Sequence, residues 1–249
     1  MSPTVNSHSK VEVLMNRIAV VILLLCGAYS MALAQGSKTP AEVSEKQWQG
    51  VLVAANDEEW DKAFQLAAKY IKQMKEEDER LPRLRYIYLY TAAGSVSAGV
   101  MSFEELERVV KDFDGKEIEL PYRPIAVDCH GDLNFICATE SSKDKLIVAA
   151  TNKAGTTIHA FEYVQLKEKF DAASHQGENA SIGGVIEAIK LNPNKSRFLI
   201  MRIYITGGFV ILKDQMQKQA SIHSTQANNG MQRTRNTAPL LNSVARASR

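Results

Sequence analysis

Residues 102–120 read SFEELERVVKDFDGKEIEL, and the fold turns on a change of rhythm inside this stretch. Up to Phe113 the apolar positions Phe103, Leu106, Val109, Val110 and Phe113 recur at three and four, which is one face of a helix. Ser102 precedes the run as an N-cap and Glu105 stands three residues later, a capping-box pattern. After Asp114-Gly115 the period changes, and short β-rich runs broken by Gly, Asn, Pro and Lys continue to Lys213. The expected fold class is α+β: about four helices paired as hairpins over residues 44–114, then a small antiparallel β-barrel over residues 115–213.

Upstream, the same helical spacing repeats. Ser44 caps a first helix carrying Trp48, Val51, Leu52 and Ala55, and Asn56 or Asp57 closes it and caps the next. Trp60, Ala63, Phe64, Ala67, Tyr70, Ile71 and Met74 form one wide apolar stripe. A third helix is expected to start around Pro82, a residue tolerated in a first turn. An offset of 43 residues pairs Trp60 with Phe103, Ala63 with Leu106, Leu66 with Val109, Ala67 with Val110 and Tyr70 with Phe113. Two stacked helical hairpins with this period resemble tetratricopeptide-type packing, at a longer repeat than the usual ~34 residues.

The strand candidates downstream are Ile118–Val127, Leu133–Ser141, Lys145–Asn152, Thr156–Tyr163, Ser181–Lys190 and Arg197–Thr206, with Phe209–Leu212 as an extension. Gly183-Gly184 offers a bend where a strand turns a corner. Between the fourth and fifth runs lies a polar segment, VQLKEKFDAASHQGEN, read as a helix or loop. This order resembles an oligonucleotide/oligosaccharide-binding (OB) fold of exported bacterial proteins, and the resemblance implies a closed sheet with a helix between its third and fourth strands. It rests on element order alone, so it transfers no functional residue.

The chain ends differ in character from its body. Ile18–Ala34, IAVVILLLCGAYSMALA, follows Arg17 and closes on a small-x-small site, so residues 1–34 are expected to be a signal peptide cut between Ala34 and Gln35. Met15 opens a more ordinary leader than Met1. A stable transmembrane anchor is not expected, because this run is short for ~30 Å of hydrocarbon; lipidation at Cys26 ranks lower still. Residues 35–43 read as a linker. From Asp214 to Arg249 the chain is rich in Gln, Asn, Ser and Thr and carries Lys218, Arg233, Arg235, Arg246 and Arg249, so a disordered basic tail is expected. Whole-chain charge is nearly balanced, 30 Lys and Arg against 28 Asp and Glu. No large-scale attraction to nucleic acid or membrane follows.

Outside the leader the cysteines are Cys129 and Cys137, in VDCHGDLNFIC (residues 127–137). An exported chain with two cysteines tends to pair them, and the turn-like HGDLN is expected to bring them together across a hairpin. Consecutive strand residues point to opposite faces, so Cys129 and His130 do not converge on a metal, and neither metal ligand nor cofactor is expected. The motifs of serine hydrolases, zincins, phosphate-binding loops and dithiol redox proteins are missing from the sequence. Glu140, Asp144, Glu162 and Glu187 carry no local signature and read as solvated strand acids. The catalytic expectation is therefore none.

One surface carries a binding hypothesis. Strand alternation in Arg197–Thr206 places Leu199, Met201, Ile203 and Ile205 on a core face, and Phe198, Ile200, Arg202 and Tyr204 opposite. In Thr157–Tyr163 it groups Thr157, His159, Phe161 and Tyr163 opposite Ile158 and Ala160. Together His159, Phe161, Tyr163, Phe198, Arg202 and Tyr204 form a candidate aromatic face of the kind that stacks bases or sugars. The helices are expected to cover it. The functional expectation is an exported, non-enzymatic binding or scaffolding module of the cell envelope, with an envelope protein or glycan as partner. A binder of single-stranded nucleic acid or oligosaccharide comes second and an unrecognised hydrolase third.

Overall fold

The computed structural model describes residues 42–127, 129, 135–138 and 143–213. The signal-peptide, linker and basic-tail expectations for residues 1–34, 35–41 and 214–249 lie outside the described residues. Four helices come first: α1 (Glu45–Asn56), α2 (Trp60–Ile71), α3 (Leu81–Ser97) and α4 (Phe103–Val110), the last running into a 3-10 turn, Lys111–Phe113. Seven strands follow: β1 (Glu117–Glu119), β2 (Arg123–Val127), β3 (Ile136–Ala138), β4 (Lys145–Thr151), β5 (Ile158–Leu166), β6 (Asn179–Leu191) and β7 (Leu199–Leu212). The chain is α+β.

Local chemistry sets the helix ends. Ser44 and Ser102 each close a capping box, with Gln47 and Glu105 answering the cap backbone. Asp57 ends α1 but does not cap α2, which starts from Glu59 without a side-chain cap, because Glu58 turns the chain at φ 59°. The helix α3 is buried on almost every side, as its long uncharged run after Arg85 allows. Leu84 and Ile87 pack with Trp48, Val51, Ala63 and Ala67 of α1 and α2. Leu89, Ala92 and Val96 instead join Ile125, Val148, Ile186 and Ile203 in the core of the sheet. The helical and strand regions thus share apolar interior through α3, and every described residue falls in one compact unit.

The sheet is mixed, which corrects the antiparallel expectation: β2 pairs β3 in parallel and β5 pairs β7 in parallel. The first strand run is broken at Leu120–Tyr122, where Pro121 lacks an N–H, and its halves β1 and β2 lie end to end on one edge of β6. The opposite edge of β6 pairs β7. Pairings therefore run β6-β2-β3-β4-β5-β7 and return to β6. At the corner the β6–β7 register shifts between Gly183 and Val185, where a Cβ on Gly184 would sit 2.7 Å from the Thr206 carbonyl oxygen. The polar segment before β6 holds one 3-10 turn, Ala172–His175, in place of a longer helix.

Candidate functional site

Cys129 and Cys137 are paired at disulfide distance, Cα atoms 5.7 Å apart. The strands they flank do not form a hairpin. Ala126 faces Cys137 in a parallel register, and the short connector serves because only three residues of each strand pair, so little length must be retraced. The predicted turn HGDLN (residues 130–134) lies outside the described residues, as does Asp128.

The candidate aromatic face is only partly assembled. Phe161 and Tyr163 on β5 and Arg202 and Tyr204 on β7 share the outer side of the sheet, all half-buried. Tyr163 and Tyr204 are cross-strand neighbours and stack at 5.2 Å between ring centroids with planes 13° apart. Phe161 continues the row at 6.4 Å from Tyr163. Lys190 of β6 lies over Tyr204 with its Nζ 4.9 Å from the ring. These rings stand outside the core cluster, so the helices do not bury them, contrary to expectation. A concavity of about 410 Å³ opens beside them, lined by strand residues including Ile147, Gln165, Glu187, Tyr163 and Tyr204.

Two of the six expected residues do not belong to this face. Phe198 precedes β7 and is 72% exposed, because the strand begins one residue later, at Leu199. His159 is fully buried. It sits where the β4–β5 register slips, Ala150 facing Ala160 and Thr151 facing Ile158. Such a bulge removes one residue from the alternation and re-aims it. The imidazole then packs against Trp60 at 4.8 Å and Tyr90 at 5.1 Å. Ile200, its register neighbour and also expected on the outer face, is buried as well.

Sequence reading missed a second site, beneath the helices. Glu162 is fully buried, not solvated: it alternates inward with Ala160, Val164 and Leu166. Its Oε1 lies 3.3 Å from the Tyr86 hydroxyl, while Oε2 has no hydrogen-bond partner among the described residues. Burial pushes its pKa up to about 8, against the pull of the Arg123 charge. Burial likewise lowers His159 to about 4, opposed by the Glu58 charge and the Tyr90 backbone, and neither imidazole nitrogen meets hydrogen-bond geometry with a described partner. Both groups are thus neutral near pH 7. Tyr90, raised to about 12 chiefly by burial, donates to the Thr151 carbonyl at 3.0 Å. A cavity of about 550 Å³ lies on the other side of Tyr86 and Tyr90, between α1, α3 and the β4–β5 turn.

Among the described residues no cluster of three or more His, Cys, Asp or Glu is placed to hold a metal ion, and no helix is long and apolar enough to cross a membrane. Glu187 is exposed, whereas Glu162 is buried, and it is the extra residue of a β6 bulge, between Ile186, which faces Ile205, and Ala188, which faces Tyr204. No protein-family model matches the chain, and no curated protein or solved structure matches it either.

Proposed function

We propose that this chain is an exported, non-enzymatic binding module of the cell envelope, built as an OB-like barrel with a helical flank, whose outer β face takes an oligosaccharide. The closed circuit of strand pairings supports the barrel reading, with β3 as an extra short strand between the first and second strands of the OB order. The observation carrying the functional reading is the open row Phe161–Tyr163–Tyr204 beside an apolar concavity. Large apolar surface left uncovered on a folded domain marks an interaction site.

Sugar chemistry fits the face better than nucleic acid does. Glu187 in the concavity opposes a phosphate backbone, whereas Glu187 and Gln165 both hydrogen-bond sugar hydroxyls well. The cysteine pair and the leader-like N-terminus support export.

A glycan panel, with single-stranded oligonucleotides alongside, tests this on the full chain and on Tyr163→Ala and Tyr204→Ala. The expected result is a glycan whose affinity falls tenfold or more in each variant. Glycan binding indifferent to both substitutions, or oligonucleotide binding abolished by them, would refute it. Protein recovered from an envelope fraction should begin at Gln35, and recovery of unprocessed chain from the cytoplasm would remove the export part of the reading.

A further inference from the structure

The cavity between α1, α3 and the β4–β5 turn holds an unusual charge arrangement. Three cations line it: Arg83, Arg123 and Lys153. Arg83 is bonded to Glu119, and the Lys153 ammonium lies 3.6 Å from Asp57. The lining carboxylate, Glu58, is turned to the Lys153 backbone N–H at 2.5 Å. Arg123, half-buried at the start of β2, makes no hydrogen bond or ion pair with any described residue. The buried acid on which the Arg123 charge acts, Glu162, holds its proton at neutral pH and so leaves the guanidinium uncompensated. Next to it the Tyr86 hydroxyl donates to Glu162 Oε1 at 3.3 Å and is already committed to that carboxyl.

Leu52, Ala55, Ile87 and Pro121 make one stretch of the wall apolar, with Asn56, Thr151 and Asn152 beside it. A volume of about 550 Å³ is in the range of small-molecule sites, about 300–1,000 Å³. One unmatched guanidinium beside an apolar stretch of wall describes one ligand chemistry.

We propose that this cavity binds a small organic monoanion, a carboxylate on an apolar body, with Arg123 gripping the carboxylate in the two-pronged manner of guanidinium pairs, and Leu52 and Ile87 covering the apolar part. The site is separate from the outer face and does not depend on how that face is read. It is also distinct in charge, since the outer concavity has Glu187 where this one has Arg123.

Isothermal titration of the full chain with octanoate, n-octanol and inorganic phosphate tests the proposal. Octanoate is expected to bind saturably with one site per chain, at least tenfold tighter than octanol or phosphate. Arg123→Gln should weaken octanoate at least tenfold and leave octanol unchanged, and Arg123→Lys should fall between. Tyr204→Ala, on the outer face, should leave octanoate binding intact. The proposal is overturned by absence of saturable octanoate binding to the wild-type chain, a measurement that no variant's folding can obscure. Octanol or phosphate matching octanoate, or octanoate affinity that survives Arg123→Gln or is lost in Tyr204→Ala, overturns it too.

Discussion

Replacing Glu162 by Gln should change how the stability of this protein depends on pH, in a way that follows from the burial of two side chains. In the folded chain Glu162 releases its proton at about 8, against an ordinary 4.5. Below pH 4.5 it is protonated folded or unfolded, and its contribution to stability is fully present. Between 4.5 and about 8 only the unfolded chain ionises it, so stability falls by about 1.4 kcal/mol per pH unit. By pH 8 the loss attributable to Glu162 is on the order of 5 kcal/mol. His159 carries the opposite sign. Its folded value is depressed to about 4 from 6.5, so its contribution is present above 6.5 and is lost as the pH falls toward 4, on the order of 3 kcal/mol in all.

The two slopes cancel between pH 4.5 and 6.5. From the pair alone, the wild type should be level there and then lose about 2 kcal/mol between pH 6.5 and 8. Glu162→Gln keeps the shape and a bond to Tyr86 but carries no titration. Urea unfolding of both proteins from pH 4 to 9 isolates the effect, because every other titrating group cancels in the difference. The stability of the wild type relative to the variant should fall by about 1.4 kcal/mol per pH unit across 4.5 to 8 and be flat beyond. A difference that does not vary with pH would mean that Glu162 ionises in the fold as it does in water, and the account of a neutral buried carboxyl would be wrong.

Three other outcomes are expected. A Cβ at Gly94 would stand 2.4 Å from the Trp60 ring, so Gly94→Ala should destabilise the α2–α3 contact by about 1 to 3 kcal/mol; an unchanged thermal midpoint would contradict that packing. Phe198→Ala should alter stability by no more than about 0.5 kcal/mol, since the ring is 72% exposed, whereas Tyr204→Ala loses its stack on Tyr163 and should cost about 1 kcal/mol in the same melt. Cys129 and Cys137 should resist alkylation until reduced, and reduction should lower stability by about 2 to 3 kcal/mol for so short a loop; two thiols that alkylate without reductant would contradict the pairing.

What was legible in the sequence was local. The capping boxes at Ser44 and Ser102, the entry of α3 beside Pro82, and the corner at Gly183-Gly184 each depend on residues a few positions apart. Pairing partners were less so: nothing between Val127 and Ile136 distinguishes a hairpin from a parallel return, because the choice is made by β6 and β4 on the outer edges of β2 and β3.

The candidate sites divide along the same line. Strict alternation carried Phe161, Tyr163, Arg202 and Tyr204 to one face and failed at His159, since a bulge is a mismatch with a neighbouring strand and is invisible in one strand alone. Glu162 is the opposite case. The alternation that placed Ala160 inward places Glu162 inward too, along with Val164 and Leu166, and an acidic residue on a core face demands a polar partner. The partner was also in view, because Tyr86 and Tyr90 are four apart on α3, which carries no charge after Arg85, and their hydroxyls need somewhere to bond. What the sequence lacked was the distance between them: that Tyr86 of α3 meets Glu162 of β5 across 76 positions is decided by α3 lying across the sheet, and that packing is what turns two ordinary residues into a neutral acid behind an unpaired arginine.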